Sequence, residues 1–149
     1  MAEITYDEVK PHLVVKPNQV GDAIAFYKKA FGAEIVKKQT VKKLHPTGSD
    51  KSVDHAHLRF GQADILLVEE TEELGSSVHT VSTLHGTPVI LHLDTNDVDG
   101  AFKRAVEAGA KVSEEVADQP WGQRYGKVID PFGFVWSLAT SLHGHSHSA

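Results

Sequence analysis

Four histidines set the chemical possibilities of this sequence. His12, His55, His57 and His92 fall in short runs where apolar and polar residues alternate, and alternation puts every second side chain of a strand on one face. Between Val53 and Phe60, His55, His57 and Arg59 share a face while Ala56, Leu58 and Phe60 share the other. Between Val89 and Thr95, Ile90, His92 and Asp94 oppose Leu91 and Leu93, and near the start His12, Val14 and Lys16 oppose Leu13 and Val15. The apolar sets need helices to pack against, so the imidazoles look away from the helices. If the sheets curve, that face becomes a cavity wall, where neutral imidazole suits Zn, Ni, Co, Cu or Fe. The other reading of the same pattern is a polar lining, with histidines hydrogen-bonded to each other or to a ligand.

The elements that must position these side chains read as two similar halves. Pro11 to Lys16 is a short strand, Pro17-Asn18 turns the chain, and Val20, Ala23, Ile24, Tyr27 and Phe31 follow the spacing of one helix face up to Gly32. Strands are expected at Glu34 to Val41, Asp54 to Phe60 and Ala63 to Val68, with a polar loop over Lys42 to Lys51 and a Gly61-Gln62 turn. Glu69 to Gly86 has no clean period and reads as the connection between halves. The pattern then restarts, with a strand over Thr87 to Thr95 and a helix from Asp97, its cap, to Ala108, followed by Gly109. Strands at Ala110 to Ser113, Gly126 to Ile129 and Phe134 to Thr140 complete the second half. Laying Asp22 over Asp99 superposes Gly32 on Gly109, Ala33 on Ala110 and Ile35 on Val112, as an internal repeat would. The expected class is α+β in one domain: a first module over about 11–70, a linker over 71–86, a second module over 87–140 and a disordered histidine-rich tail over 141–149.

Composition narrows the function classes. The 149 residues carry 15 Lys+Arg against 20 Asp+Glu and a formal charge of −5, and protonating the ten histidines would reverse that sign. A chain 40% hydrophobic and 23% charged can build a core, which excludes a wholly disordered, collagen-like or polytopic membrane protein. Mild acidity argues against nucleic acid as a partner. The absence of cysteine excludes disulfides, thiolate metal sites and a cysteine nucleophile. The acidic opening MAEITYDEVK lacks the apolar core of a signal peptide, and no apolar run approaches the ~20 residues that span a bilayer, so the expected location is the cytoplasm, away from membranes.

Several segments together resemble a known family. They are Ala23-Ile24-x-Phe26-Tyr27-x-x-Ala30-Phe31-Gly32-Ala33, Asp54-His-Ala-His-Leu58, Gly86-Thr-Pro-Val with His92-Leu93, Asp97-Val98-Asp99, Ala108-Gly-Ala, Trp121-Gly-x-Arg124-Tyr-Gly126, and Asp130-Pro-Phe-Gly133-x-x-Trp136-x-Leu-Ala-Thr140. In order and spacing they resemble the vicinal oxygen chelate superfamily of glyoxalase I, bleomycin and fosfomycin resistance proteins and extradiol dioxygenases, and within it the PhnB-like group. The resemblance covers about residues 11–140. It implies paired βαβββ modules in an open, cupped mixed sheet with helices on the outer face, commonly assembled as homodimers.

The resemblance also implies a divalent metal, with one ligand on each of four cupped strands. The first position falls on His12 and the second on His57, both acceptable ligands; the third falls on Ile90 and the fourth on Ser137, which are not. A catalytic metal needs at least three protein ligands and an open position. His92, two residues along the face from Ile90, would complete a displaced His12, His57, His92 site for Zn, Ni, Co, Mn or Fe. Ser137 also replaces the metal-bound base that a glyoxalase I reaction uses to move a proton.

Two classes follow. In the first, the cup binds a small, anionic or aromatic molecule without the four-ligand metal site, using His55, Arg59, His92, Trp121, Arg124 and Tyr125. In the second, the chain is a metal-dependent lyase, isomerase or dioxygenase with the displaced site. The arginines suit a bidentate anion and the rings a flat ligand, against a surface salt bridge and loop packing as the plain alternative. Glu69 and Glu70 could reach the cavity or form an acidic edge, Trp136 reads as core, and His143, His145 and His147 read as tail. Open sheet edges call for cover and predict a homodimer.

Overall fold

Helix α1 forms over Val20–Phe31, where the apolar stripe is unbroken, and stops at Gly32. Gly32 takes φ +69°, the left-handed conformation that lets its N–H reach back to the Lys28 carbonyl and the Ala33 N–H to the Tyr27 carbonyl. The computed structural model describes residues 3–44 and 50–142; His45 and the histidines at 143, 145 and 147 lie outside the described residues. Around α1 the first module places β1 (His12–Val15), β2 (Glu34–Leu44), β3 (Asp50–Phe60) and β4 (Ala63–Glu69). A turn of 3₁₀ helix (Glu72–Leu74) and the short α2 (Val81–Leu84) lead to β5 (Ile90–Asp94), α3 (Val98–Ala108), β6 (Lys111–Asp118), β7 (Gln123–Ile129) and β8 (Val135–Ser141). Asp97 caps α3 as its position suggests, its side chain accepting from the Gly100 N–H at 3.0 Å.

Each module folds into an open, four-stranded mixed sheet, in the orders β1-β4-β3-β2 and β5-β8-β7-β6. The β1/β4 and β5/β8 pairs are parallel and the others antiparallel, so the two halves share one topology. Two expectations need adjusting. The β2 and β3 strands run well into the segment expected as the loop Lys42 to Lys51. Likewise β6 and β7 are longer than expected, so Arg124 and Tyr125 belong to a strand, not a loop.

The decisive feature is where the core sits. Trp136 of β8 packs against Phe31 of α1 at 4.8 Å between ring centroids and against Phe60 of β3 at 5.3 Å. The helix-facing side chains of both sheets therefore enter one core together with α1 and α3. Arg104 of α3 ties the helices, its Nε donating to the Lys29 carbonyl at 2.7 Å and its terminal nitrogen to Lys28 at 3.3 Å. A cation at that end of α1 also offsets the helix dipole. Asp130 lies buried between the modules and accepts from the Tyr27 hydroxyl, the Trp136 indole N–H at 2.8 Å, and the Phe132 and Phe134 amides at 2.9 and 3.0 Å. Burial pushes its carboxyl above the ordinary value while the four donors pull it down, and the same burial raises the Tyr27 phenol well above its own. With the helix-facing surfaces in one core, the opposite faces of the two sheets look away from that core and from each other.

Candidate functional site

The register across β1, β4 and β3 shows which side chains share the first outer face. His12 lies beside Leu66, and Leu66 beside His57; Val14 lies beside Val68, and Val68 beside His55. On the far side, Lys37 and Gln39 of β2 oppose His57 and His55. Together these residues line a pocket of about 250 Å³, with His12, His55, His57, Lys37 and Gln39 as its polar wall and Leu66 and Val68 as its apolar floor. That is somewhat below the ~300–1,000 Å³ of a typical ligand cleft.

Arg59 and Asp64 stand at one end of this face. They are cross-strand partners, and Arg59 Nε and Nη2 meet the two Asp64 oxygens at 2.9 and 3.3 Å, a bidentate clamp. His57 Nε2 also approaches Asp64 Oδ2 to 2.9 Å but out of line for a hydrogen bond, so this buried nitrogen has a charge neighbour and no proper acceptor or donor. The Arg59 hydrogen bonds, with His57 second, hold the Asp64 carboxyl down to about 2, and it is ionised at neutral pH. Asp64 is a residue that sequence reasoning missed. It lies inside the strand expected at Ala63 to Val68, and continuing the alternation back from Val68 and Leu66 places it on the pocket face.

The second outer face is built differently. His92 lies beside Ser137 across β5 and β8; its Nδ1 is 2.6 Å from the Ser137 hydroxyl and its Nε2 is 2.9 Å from Asp94 Oδ1. A ring protonated on Nε2 satisfies both contacts, donating to Asp94 and accepting from Ser137. Tyr125 lies nearly parallel to His92, with centroids 6.3 Å apart and 16° between planes, and Trp121 meets Tyr125 edge-on at 5.6 Å. Trp121 is 58% exposed.

Of the expected site residues, His12, His55 and His57 come together in one pocket, and Arg59 borders it. His92, Trp121 and Tyr125 gather on the other sheet. Arg124 departs from the expectation that it faces the ligand: β7 starts at Gln123, and its alternation turns Arg124 toward α3. There it binds both Asp99 oxygens, at 2.9 and 3.0 Å, and Asp118 at 3.0 Å. Glu69 does not reach the pocket either; it is buried and accepts from the Asn18 and Asp54 amides at 2.9 and 3.2 Å. Glu70 holds His79 at 2.9 Å and the Thr80 amide at 3.1 Å in the connection. Trp136 is core, as its run suggested.

The donor set does not fit a divalent metal within one chain. Leu66 stands between His12 and His57, whose Cα atoms are two strand spacings, roughly 10 Å, apart. The third and fourth positions, Ile90 and Ser137, lie on the other sheet; Ile90 has no donor, and the Ser137 hydroxyl is taken by His92. His92 has both ring nitrogens engaged and does not line the His12/His57 pocket. Among the described residues no group of three or more His, Asp or Glu is arranged to hold a metal ion.

Comparison with known proteins places this geometry. Residues 11–138 match the model of the Glyoxalase/Bleomycin resistance protein/Dioxygenase superfamily. The uncharacterized protein Rv0887c of Mycobacterium tuberculosis is 42% identical over 131 residues, covering 87% of this chain and 72% of that protein. The crystal structure of the Arabidopsis thaliana At5g48480 gene product is 31% identical, with a TM-score of 0.68 over 91% of this chain and 99% of that one. A Bacillus cereus PhnB protein, titled a putative 3-demethylubiquinone-9 3-methyltransferase, shares the fold alone, at 15% identity and a TM-score of 0.65 over 91% of this chain and all of that one (100%).

Proposed function

The chain belongs to the glyoxalase/bleomycin resistance protein/dioxygenase superfamily, and on that premise we propose that it binds a small anionic or aromatic molecule in the pocket of His12, His55 and His57, with no four-ligand metal centre. The observation that carries this reading is the chemistry of that pocket's wall. It offers three imidazoles and the Lys37 ammonium, while the one carboxylate beside them, Asp64, is already neutralised by Arg59. Such a wall donates hydrogen bonds and positive charge to an anion, and the floor of Leu66 and Val68 accepts an apolar body.

The pocket belongs to a homodimer. The β1 and β5 strands are open sheet edges, and the second face exposes Ile90, 53% accessible. An isologous two-fold that brings the β1 edge of one copy to the β5 edge of its partner does so twice, and sets the first face of each copy beside the second face of the other. No described helix is long and apolar enough to cross a membrane.

The test combines metal content with ligand-induced thermal shift. A chain with His143, His145 and His147 replaced by alanine should purify without stoichiometric metal and show no shift with Zn²⁺, Ni²⁺, Co²⁺, Mn²⁺ or anaerobic Fe²⁺. Small organic acids should raise its midpoint, and Lys37→Ala or His55→Ala should remove that rise. Stoichiometric metal lost with His12→Ala and His57→Ala would overturn this reading in favour of a metal-dependent lyase, isomerase or dioxygenase, with His92 supplied by a partner copy.

A further inference from the structure

Register divides the polar wall of the first pocket into two rows. His57 of β3 has Lys37 of β2 on one side and Leu66 of β4 on the other, with His12 of β1 beyond Leu66. Two residues along the same strands, His55 has Gln39 on one side and Val68 on the other. The rows are ~6.6 Å apart at ~3.3 Å per residue, and both line one cavity. Among the described residues, the side chains of His12, Lys37, Gln39 and His55 have no hydrogen-bond or ion-pair partner within the protein. Arg59, whose Nε and Nη2 are taken by Asp64, adds nothing to either row.

Two separated sets of donors set a requirement on the ligand. A single carboxylate on Lys37 satisfies the first row and leaves His55 and the Gln39 amide to water. A molecule with an acid at each end satisfies both, and its apolar middle lies over Leu66 and Val68. Among the described lining residues none is Phe, Tyr or Trp, so the cavity has an aliphatic floor rather than a stacking platform.

We propose that the ligand is a short aliphatic dicarboxylate, one acid on Lys37 and His57 and the other on His55 and Gln39. This rests on the pocket reading above and adds a requirement to it: the site selects for two charges at a fixed separation, which a lone acid of any size does not supply. Lys37 brings the fixed positive charge, while the imidazoles and the Gln39 amide bring N–H donors.

The experiment titrates the full chain by calorimetry with succinate, succinamate, butyrate and phosphate. Succinamate keeps the length of succinate with a single acid, butyrate keeps an acid and an apolar tail, and phosphate is a compact anion. Succinate should bind about tenfold tighter than succinamate or butyrate, the worth of one charge-assisted end. Phosphate should bind no better than butyrate. Gln39→Leu should bring succinate down to the succinamate level and leave butyrate unchanged. Gln39→Glu, which sets a carboxylate where the second acid lies, should weaken succinate further. Gln39 sits on the edge strand β2, and unchanged melting midpoints confirm that both variants fold.

Succinate that binds no tighter than succinamate, or a preference that survives both Gln39 variants, would overturn the two-ended ligand and leave the single-anion pocket standing. Phosphate binding as tight as that of succinate would do the same, by showing one compact anion on the Lys37 row. If none of the four binds, and no other organic acid raises the melting midpoint, the pocket reading falls as well.

Discussion

The two outer faces began as the same strand pattern and ended as different chemistry. On the first sheet the His57 Nε2 is buried 2.9 Å from Asp64 without a proper hydrogen bond, and the surrounding donors open into a cavity. On the second sheet the His92 nitrogens are used up by Ser137 and Asp94, and rings cover the rest. A histidine whose hydrogen bonds are completed inside the protein serves structure. One left incomplete beside a buried carboxylate costs stability instead.

Five changes would break or sharpen that contrast. The largest effect is expected from Asp130→Asn, because the faces point apart only while the shared core holds. The amide would turn donors toward the buried Trp136 and Tyr27 groups, and the midpoint of denaturant unfolding should fall by the equivalent of ~3 kcal/mol, both modules unfolding together. Separate transitions for the two halves would show that they do not share one core. Next, Ser137→Ala should cost about 1 kcal/mol by removing a short hydrogen bond from His92, with no loss of binding in the first pocket. His57→Leu should change stability by less than ~0.5 kcal/mol, because an ill-satisfied polar atom is exchanged for an apolar side chain of similar size, while weakening ligand binding. A large stability loss there would mean that the His57–Asp64 contact holds the sheet.

The smallest effects are in pH. The Asp64 carboxyl is held down to about 2 in the folded chain, so its stabilising pairing is complete above its ordinary value near 4 and is lost as pH falls through about 2. Asp64→Asn should flatten that limb of the acid denaturation curve. His79 runs the other way: the Ser76 carbonyl, then Glu70, raise its pKa, so it stabilises the connection below about 6.5 and that help fades as pH climbs past its folded value. Amide exchange at residues 76–80 should quicken accordingly at alkaline pH, and His79→Gln should remove that dependence.

Much of this was legible in the residues, and what was not has a physical reason. The α1 stripe, the Gly32 stop, the Asp97 cap and the faces of β1, β3, β5 and β8 all follow from period and end chemistry. Arg124 was misplaced because its strand was expected to begin at Gly126, and a residue without a strand has no face. Alternation run back from Val128 puts it with the helices. The relation of the sheets was not legible at all. Period assigns a side chain to one side of its own sheet, but the apolar sets of both modules look alike, and nothing in them says that Phe60 and Trp136 will meet.

The Tyr27–Asp130 contact joins residues 103 positions apart, and it has a consequence for the order in which a ribosome delivers this chain. Tyr27 and Phe60 emerge early, but the carboxylate and the indole that complete their surroundings come from the last strand and the turn before it. The first module therefore leaves the exit tunnel with its inner surface uncovered, and non-local closure of this kind is slow. A nascent chain arrested before residue 130 should remain sensitive to protease through its first half, and one extended far enough for Trp136 to clear the tunnel should resist.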